Sequence, residues 1–171
     1  MLTLSLLRHA KSSWAESSLG DFDRPLNARG RDAAPRMGAY MAGQRIAPEL
    51  IVCSPAVRTR QTLALVLPHL QRTAEVAYED DLYLASTGQL LKRIRKTADT
   101  VAHLMVVGHD PGMHGIAVKL AGAGDPAALD LLIAKFPTAG LAVIVFDAAS
   151  WHDVGAGDGR LQLFMTPKRL P

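Results

Sequence analysis

The amino-acid sequence predicts an α/β fold: one domain over residues 1–171, arranged as a three-layer α/β/α sandwich around a largely parallel central sheet. Three observations lead there. Short apolar runs of strand length alternate with longer stretches of helical spacing, the order from which parallel sheets are built through crossover helices. The run at residues 101–107 is apolar almost throughout, as in strands covered on both faces. With 171 residues, 49% of them hydrophobic, the chain can bury one substantial core, and no repeat, linker or low-complexity stretch divides it.

Residues 2–7 partly alternate and predict a strand ending near Arg8. A polar loop with Asp21, Asp23 and Arg24 follows. From Asn27 to Gln44, the residues Ala33, Met37, Tyr40 and Met41 fall at helical spacing with Pro35 among them. That helix either begins near Pro35, where a missing N–H is harmless, or starts at an Asn27 cap and kinks at the proline. Residues 50–53 predict a short buried strand, after which Ser54 and Pro55 read as N-cap and first residue of a helix running to about Leu67, with Pro68 as its stop. Residues 75–78 read as an edge strand, 87–97 as an amphipathic helix, and 101–107 as the buried strand closed by Gly108. Pro111 opens a helix to about Ala121, 126–134 predicts another, and 141–146 and 161–165 supply late strands. In such a sheet the functional loops lie beyond the carboxyl ends of the strands.

The net charge of +3 is compatible with anionic ligands and too small and dispersed to argue for nucleic acid. Its densest run, Lys92, Arg93, Arg95 and Lys96, is interleaved with Leu90, Leu91 and Ile94 at the spacing of a solvated helix face. The single cysteine, Cys53, excludes an internal disulfide. The opening MLTLSLLRHA lacks a basic leader and a small-residue cleavage site, and no apolar run approaches the roughly 20 residues of a membrane span. The expected setting is therefore cytoplasmic, without a membrane or nucleic-acid partner.

Three predicted strand ends carry what a phosphate site needs: Arg8-His9, Ser54-Pro55 leading to Arg58, and Gly108-His109. Arg58 falls in the first turn of its helix, where the dipole favours an anion. Two guanidinium groups can each grip phosphate oxygens bidentately, which lysine cannot do. A neutral imidazole beside them can accept a phosphoryl group and later surrender it to water. Phosphoryl transfer depends chiefly on positioning and on neutralising oxygen charge, so two arginines and a second imidazole could serve without a metal.

The segments LRHA, SPAVRTRQT and VVGHDPG resemble motifs of the histidine phosphatase superfamily, the group that includes the phosphoglycerate mutases. DFDRPLNARG, DLYLAS, KFPTAGLAVIVFD with Trp151, and FMTPKRL extend the resemblance over nearly the whole chain, toward the small branch typified by the phosphohistidine phosphatase SixA. The resemblance implies a phosphoglycerate mutase-like fold and a phosphatase that needs no metal or other cofactor. It makes His9 the phosphorylated nucleophile, Arg8 and Arg58 the phosphate clamps, and His109 the second histidine on the phosphoryl group. The implied substrate is a phosphorylated protein, through its phosphohistidine, or a small phosphorylated molecule. Ala10 departs from the glycine common after the histidine. Ala15 stands where mutases carry a phosphate-contacting asparagine, and EDDLYLAS replaces their Glu-Arg-x-Tyr element, so a sugar-phosphate mutase is not expected. The general acid stays open among Glu79, Asp80, Asp81 and Asp110.

Plainer roles suit the other polar residues. Asp23 and Arg24 are expected to tie the first loop in place, and Arg60 to be solvated. His69, His103, His114 and His152 read as structural or exposed, and Trp14 and Trp151 as packing anchors more than as the lining of a substrate mouth. Cys53 to Arg58 falls one residue short of the C-x5-R loop of cysteine-dependent phosphatases, and Pro55 removes an N–H such a loop requires. A metal held by His9, His109 and an aspartate lacks ligand spacing and would set two arginines beside a cation. The alternative to an enzyme is a recognition module that uses the same cage to bind phosphate without turnover.

Overall fold

The computed structural model describes residues 1–171. Seven strands, β1 (Leu2–Arg8), β2 (Leu50–Cys53), β3 (Glu75–Tyr78), β4 (His103–Gly108), β5 (Ala121–Gly124), β6 (Leu141–Phe146) and β7 (Gly159–Met165), form one sheet in the order β3-β2-β4-β1-β6-β7-β5. β6 runs antiparallel to both of its neighbours, and every other pairing is parallel. The helices are α1 (Ala28–Gly43), α2 (Val57–Val66), α3 (Thr87–Arg95), α4 (Gly112–Leu120) and α5 (Pro126–Ala134).

The two-residue period of the strands sorts the core into two layers. Leu4 and Leu6 of β1 and Leu104 and Val106 of β4 pack with Leu90, Ile94, Ile116 and Leu132 from α3, α4 and α5. Leu7, Met105 and Val107 point the other way and pack with Met37, Met41, Leu63 and Val66 from α1 and α2. Each fully buried side chain of this kind contributes about 1.5–3 kcal/mol relative to exposure. The sheet is thereby clamped on both faces, as the sequence predicts, and its strand tips are rigid mounts.

Registry then sets those tips side by side. Arg8 aligns with Gly108, and Cys53 with Val107. The ladder continues one residue further: the His9 N–H donates to the Gly108 carbonyl at 3.1 Å, and the Ser54 N–H to the Val107 carbonyl at 3.0 Å. On the other flank, the Ala139 N–H donates to the His9 carbonyl at 2.9 Å. Three segments far apart in sequence leave the sheet at one edge.

The structure departs from the sequence reading in a few places. Of the two starts considered for α1, the Asn27 cap is the one adopted: its side chain accepts from the Gly30 N–H at 2.9 Å, and Pro35 lies inside the helix. Ser54 and Pro55 are not the cap and first residue of α2. Ser54 extends the β2–β4 ladder, so the helix begins only at Val57, with Ala56 at its N-cap and no side-chain cap bond. Pro68 sits in a short 3-10 turn, Leu67–His69, that continues α2. β5 has no signature in the sequence, because AGAG has no branched side chains; its backbone pairs with β7 where small residues allow close approach. On α3, the basic face is only partly free: Arg93 donates to both Glu79 oxygens at 2.7 and 2.8 Å, and Arg95 Nε to the Val154 carbonyl at 2.7 Å.

Candidate active site

At the common edge, β1 delivers Arg8 and His9, β4 delivers His109, and the first turn of α2 delivers Arg58. The His9 and His109 ring centroids are 5.4 Å apart, and both residues are buried. Arg58 is 2% exposed, and its charge, with that of Arg8, bears on both imidazoles. All four residues singled out from the sequence therefore lie close together at this edge of the sheet.

Each imidazole is held in a definite orientation. His9 Nδ1 lies 2.7 Å from the Ala10 carbonyl oxygen, which can only accept, so Nδ1 carries the hydrogen and Nε2 keeps its lone pair. Thr62 anchors the same loop by accepting the Ala10 N–H at 2.9 Å. His109 Nε2 lies 2.7 Å from Ser54 Oγ, and its ring meets that of Tyr83 edge-on at 5.4 Å. Burial lowers the His9 pKa to about 4, with Arg58 and Arg8 adding to the effect against the Ala10 bond. Burial, then Arg58, lowers that of His109 to about 3. Both rings are neutral at physiological pH.

The arginines are fixed at their tips. Arg8 Nη1 donates to the Phe136 carbonyl at 2.9 Å and lies 3.4 Å from Asp110 Oδ2. Arg58 donates from Nη1 to the Asp21 carbonyl at 2.7 Å and from Nη2 to Asp21 Oδ2 at 3.0 Å. Burial alone would raise the Asp21 carboxyl, but donors from Tyr83, Arg58 and Arg24 bring it well below the usual range. Three buried side-chain nitrogens in the chain have no partner: Arg8 Nε, Arg58 Nε and His109 Nδ1. Such orphans are rare in folded proteins, and here all three belong to one cluster. A tetrahedral oxyanion, which offers several acceptors at once, would satisfy them.

Of the four carboxyls left open, Asp110 stands at this cluster, half-buried, its pKa raised by burial against the pull of Arg8. Glu79 is tied to Arg93, and Asp80 and Asp81 are exposed. Three contributors escaped the sequence reading. Asp21, not Asp23, holds the first loop: it pairs with Arg24 at 3.1 Å and with Arg58. Tyr83 donates its hydroxyl to Asp21. Ser54 serves His109 instead of capping a helix. The segments DFDRP and DLYLAS contain two of them, but nothing in their spacing distinguishes a contact to Arg58 from an ordinary turn.

Arg60, His69 and His152 are exposed. His103 bonds Ser5 at 2.8 Å, and His114 Nε2 donates to the Leu132 carbonyl at 2.7 Å. Trp151 is fully buried and donates to the Val101 carbonyl, whereas Trp14 is 73% exposed with the Arg24 guanidinium 3.5 Å above its ring. Cys53 is buried, and burial pushes its thiol up to about 12, unsuited to a nucleophile.

Comparison with known proteins bears on the family and the fold. A sequence model of the histidine phosphatase superfamily (branch 1) matches residues 4–93. An uncharacterized protein of Mycobacterium tuberculosis is 37% identical over 164 residues, 95% of this chain and 100% of that one. Among solved structures, a candidate phosphohistidine phosphatase SixA from Agrobacterium tumefaciens is 32% identical with a TM-score of 0.78, covering 97% of this chain and 98% of that one. A second candidate SixA, from Nakamurella multipartitia, is also 32% identical, with a TM-score of 0.83 over 97% of this chain and 96% of the other.

Proposed function

Because the chain belongs to the histidine phosphatase superfamily, we propose that it hydrolyses phosphohistidine in proteins or small phosphomonoesters through a phosphohistidine intermediate on His9, without a metal. The observation that carries this reading is the set of orphaned nitrogens on Arg8, Arg58 and His109 around a buried neutral imidazole with a free Nε2. Those donors suit the equatorial oxygens of a phosphoryl group, and two adjacent guanidinium charges would repel a dication.

In the first step the Nε2 lone pair forms a bond to phosphorus while the bond from phosphorus to the leaving group breaks, that group departing with the electron pair. Asp110, which lies beside Arg8 and whose pKa is raised by burial, is the general acid in this reading: in its protonated form it gives its proton to the leaving group as that bond breaks. In the second step water attacks phosphorus and gives a proton to the Asp110 carboxylate, the P–Nε2 bond breaks, and inorganic phosphate leaves with the imidazole and the acid both restored. Each displacement is easier than a single direct one.

Rapid-quench mass spectrometry of the intact protein with phosphoramidate as donor tests the reading. The wild type gains one phosphoryl adduct that decays as phosphate appears, and His9→Ala gains none. An adduct persisting in His9→Ala moves the nucleophile elsewhere. Phosphate binding with neither adduct nor turnover makes the cage a recognition module.

A further inference from the structure

Next to the cage lies a groove of about 820 Å³ that the mechanism above leaves unused. The two share Arg8. The walls of the groove carry Lys11, Arg29, Arg36, Lys135, Lys168 and Arg169 against a single carboxylate, Asp32. These cations come from the loop after β1, from α1, from the end of α5 and from the last turn of the chain, so folding alone assembles them. Arg36 pairs with Asp32 at 3.5 Å. The other five have no carboxylate partner, although the chain as a whole carries only +3.

Like charges crowded into a concavity repel one another, and low-dielectric walls focus their potential on whatever enters. A multiply charged anion relieves that repulsion. The arginines among them match phosphate oxygens in geometry as well as charge. The volume falls within the roughly 300–1,000 Å³ of small-molecule sites. A protein partner is less well served, because interface cores are depleted in lysine and depend on apolar or aromatic anchors. Here the one aromatic of the wall, Phe164, is buried.

We propose that this groove is a second anion subsite, and that the substrate of the His9 cage is a small molecule bearing two phosphate groups. One is held at Arg8, Arg58 and His109 for transfer, and the other is seated among Arg29, Lys168 and Arg169. The inference rests on the phosphatase reading and narrows it to one substrate class.

The test compares kcat/KM for adenosine 3′,5′-bisphosphate and for phenyl phosphate in the wild type and in the Arg29→Glu/Lys168→Glu double variant. Both altered side chains are exposed and form no hydrogen bond or ion pair, and Lys135→Glu is a second, independent probe. The wild type favours the bisphosphate by about tenfold or more, equivalent to about 1.4 kcal/mol. Charge reversal brings the ratio near one, and added salt does the same in part. A ratio near one in the wild type, or one unchanged in both variants, overturns the subsite. So does a preference for a phosphohistidine peptide with acidic flanks over the bisphosphate, which would make the groove a protein-docking surface. Calorimetry of bisphosphate binding in a His9→Ala background reads the subsite without turnover. Affinity that falls about tenfold on charge reversal supports it even where no hydrolysis occurs, whereas loss of the phosphoryl adduct in the wild type strikes only the phosphatase reading.

Discussion

Asp21 grips Arg58 twice, its backbone carbonyl accepting from Nη1 at 2.7 Å and its Oδ2 from Nη2 at 3.0 Å. Arg58 is 2% exposed, and the direction of its guanidinium is set by this one residue of the first loop. The same carboxylate also takes the Tyr83 hydroxyl and pairs with Arg24. It aims the arginine, and its negative charge also competes with an incoming phosphate.

Asp21→Asn separates those two effects. With the competing charge gone, product phosphate inhibits at lower concentration. With Arg58 less firmly directed, kcat falls about tenfold. Steady-state kinetics with phosphate inhibition measure both, and a variant with neither change would reduce Asp21 to a loop tie.

Ser54→Ala removes the hydroxyl 2.7 Å from His109 Nε2. The imidazole loses the bond that orients its ring, and kcat falls about tenfold or more with little change in KM, since the effect is on how His109 meets the transferring group. Ser54→Thr, which keeps the hydroxyl, restores part of the rate. Equal loss in both variants points to packing instead.

The depressed histidines give activity and stability different responses to acid. His9 stays neutral until pH approaches about 4, so the acidic limb of kcat/KM for an unionising donor lies near 4, not near 6.5. Stability departs earlier. His9 and His103, at about 4, and His109, at about 3, remain unprotonated in the folded chain while their unfolded counterparts take up protons below about 6.5. The unfolded state thus binds more protons between those values, and stability falls as pH drops through that window. Urea melts at stepped pH, run beside the kinetic profile, check the offset between the two.

Gly30 lies where α1 crosses the loop after β1, and a Cβ there would stand 2.1 Å from the Lys11 carbonyl oxygen. Gly30→Ala forces helix and loop apart at a cost of about 1–3 kcal/mol, read as a lower Tm. Gly43→Ala, at the open end of the same helix with nothing nearby, serves as the control and leaves Tm the same or slightly higher.

Where side-chain pattern and backbone demand coincide, the elements were legible in the chain. Residues 50–53 and 141–146 are strands at the expected bounds, and Pro126–Ala134 is a helix at the expected bounds. The pattern misled where a residue had a second use. Ser54 and Pro55 have the signature of a helix start, yet the parallel ladder claims the Ser54 backbone and His109 claims its hydroxyl. β5 left no trace, since a strand of glycine and alanine is held by its partner's backbone and not by its own side chains.

Arg8, His9, Arg58 and His109 could be singled out because each sits at a strand tip or opens a helix, positions written in a few adjacent residues, and because the motifs around them resemble those of the histidine phosphatases. Asp21 and Tyr83, 62 residues apart, become partners of that cage only through loops whose paths no periodicity records. The cationic groove is the same kind of fact. Its charges are scattered over four segments, and they acquire a common field only when the packed helices and the chain's last turn bring them within reach of one another.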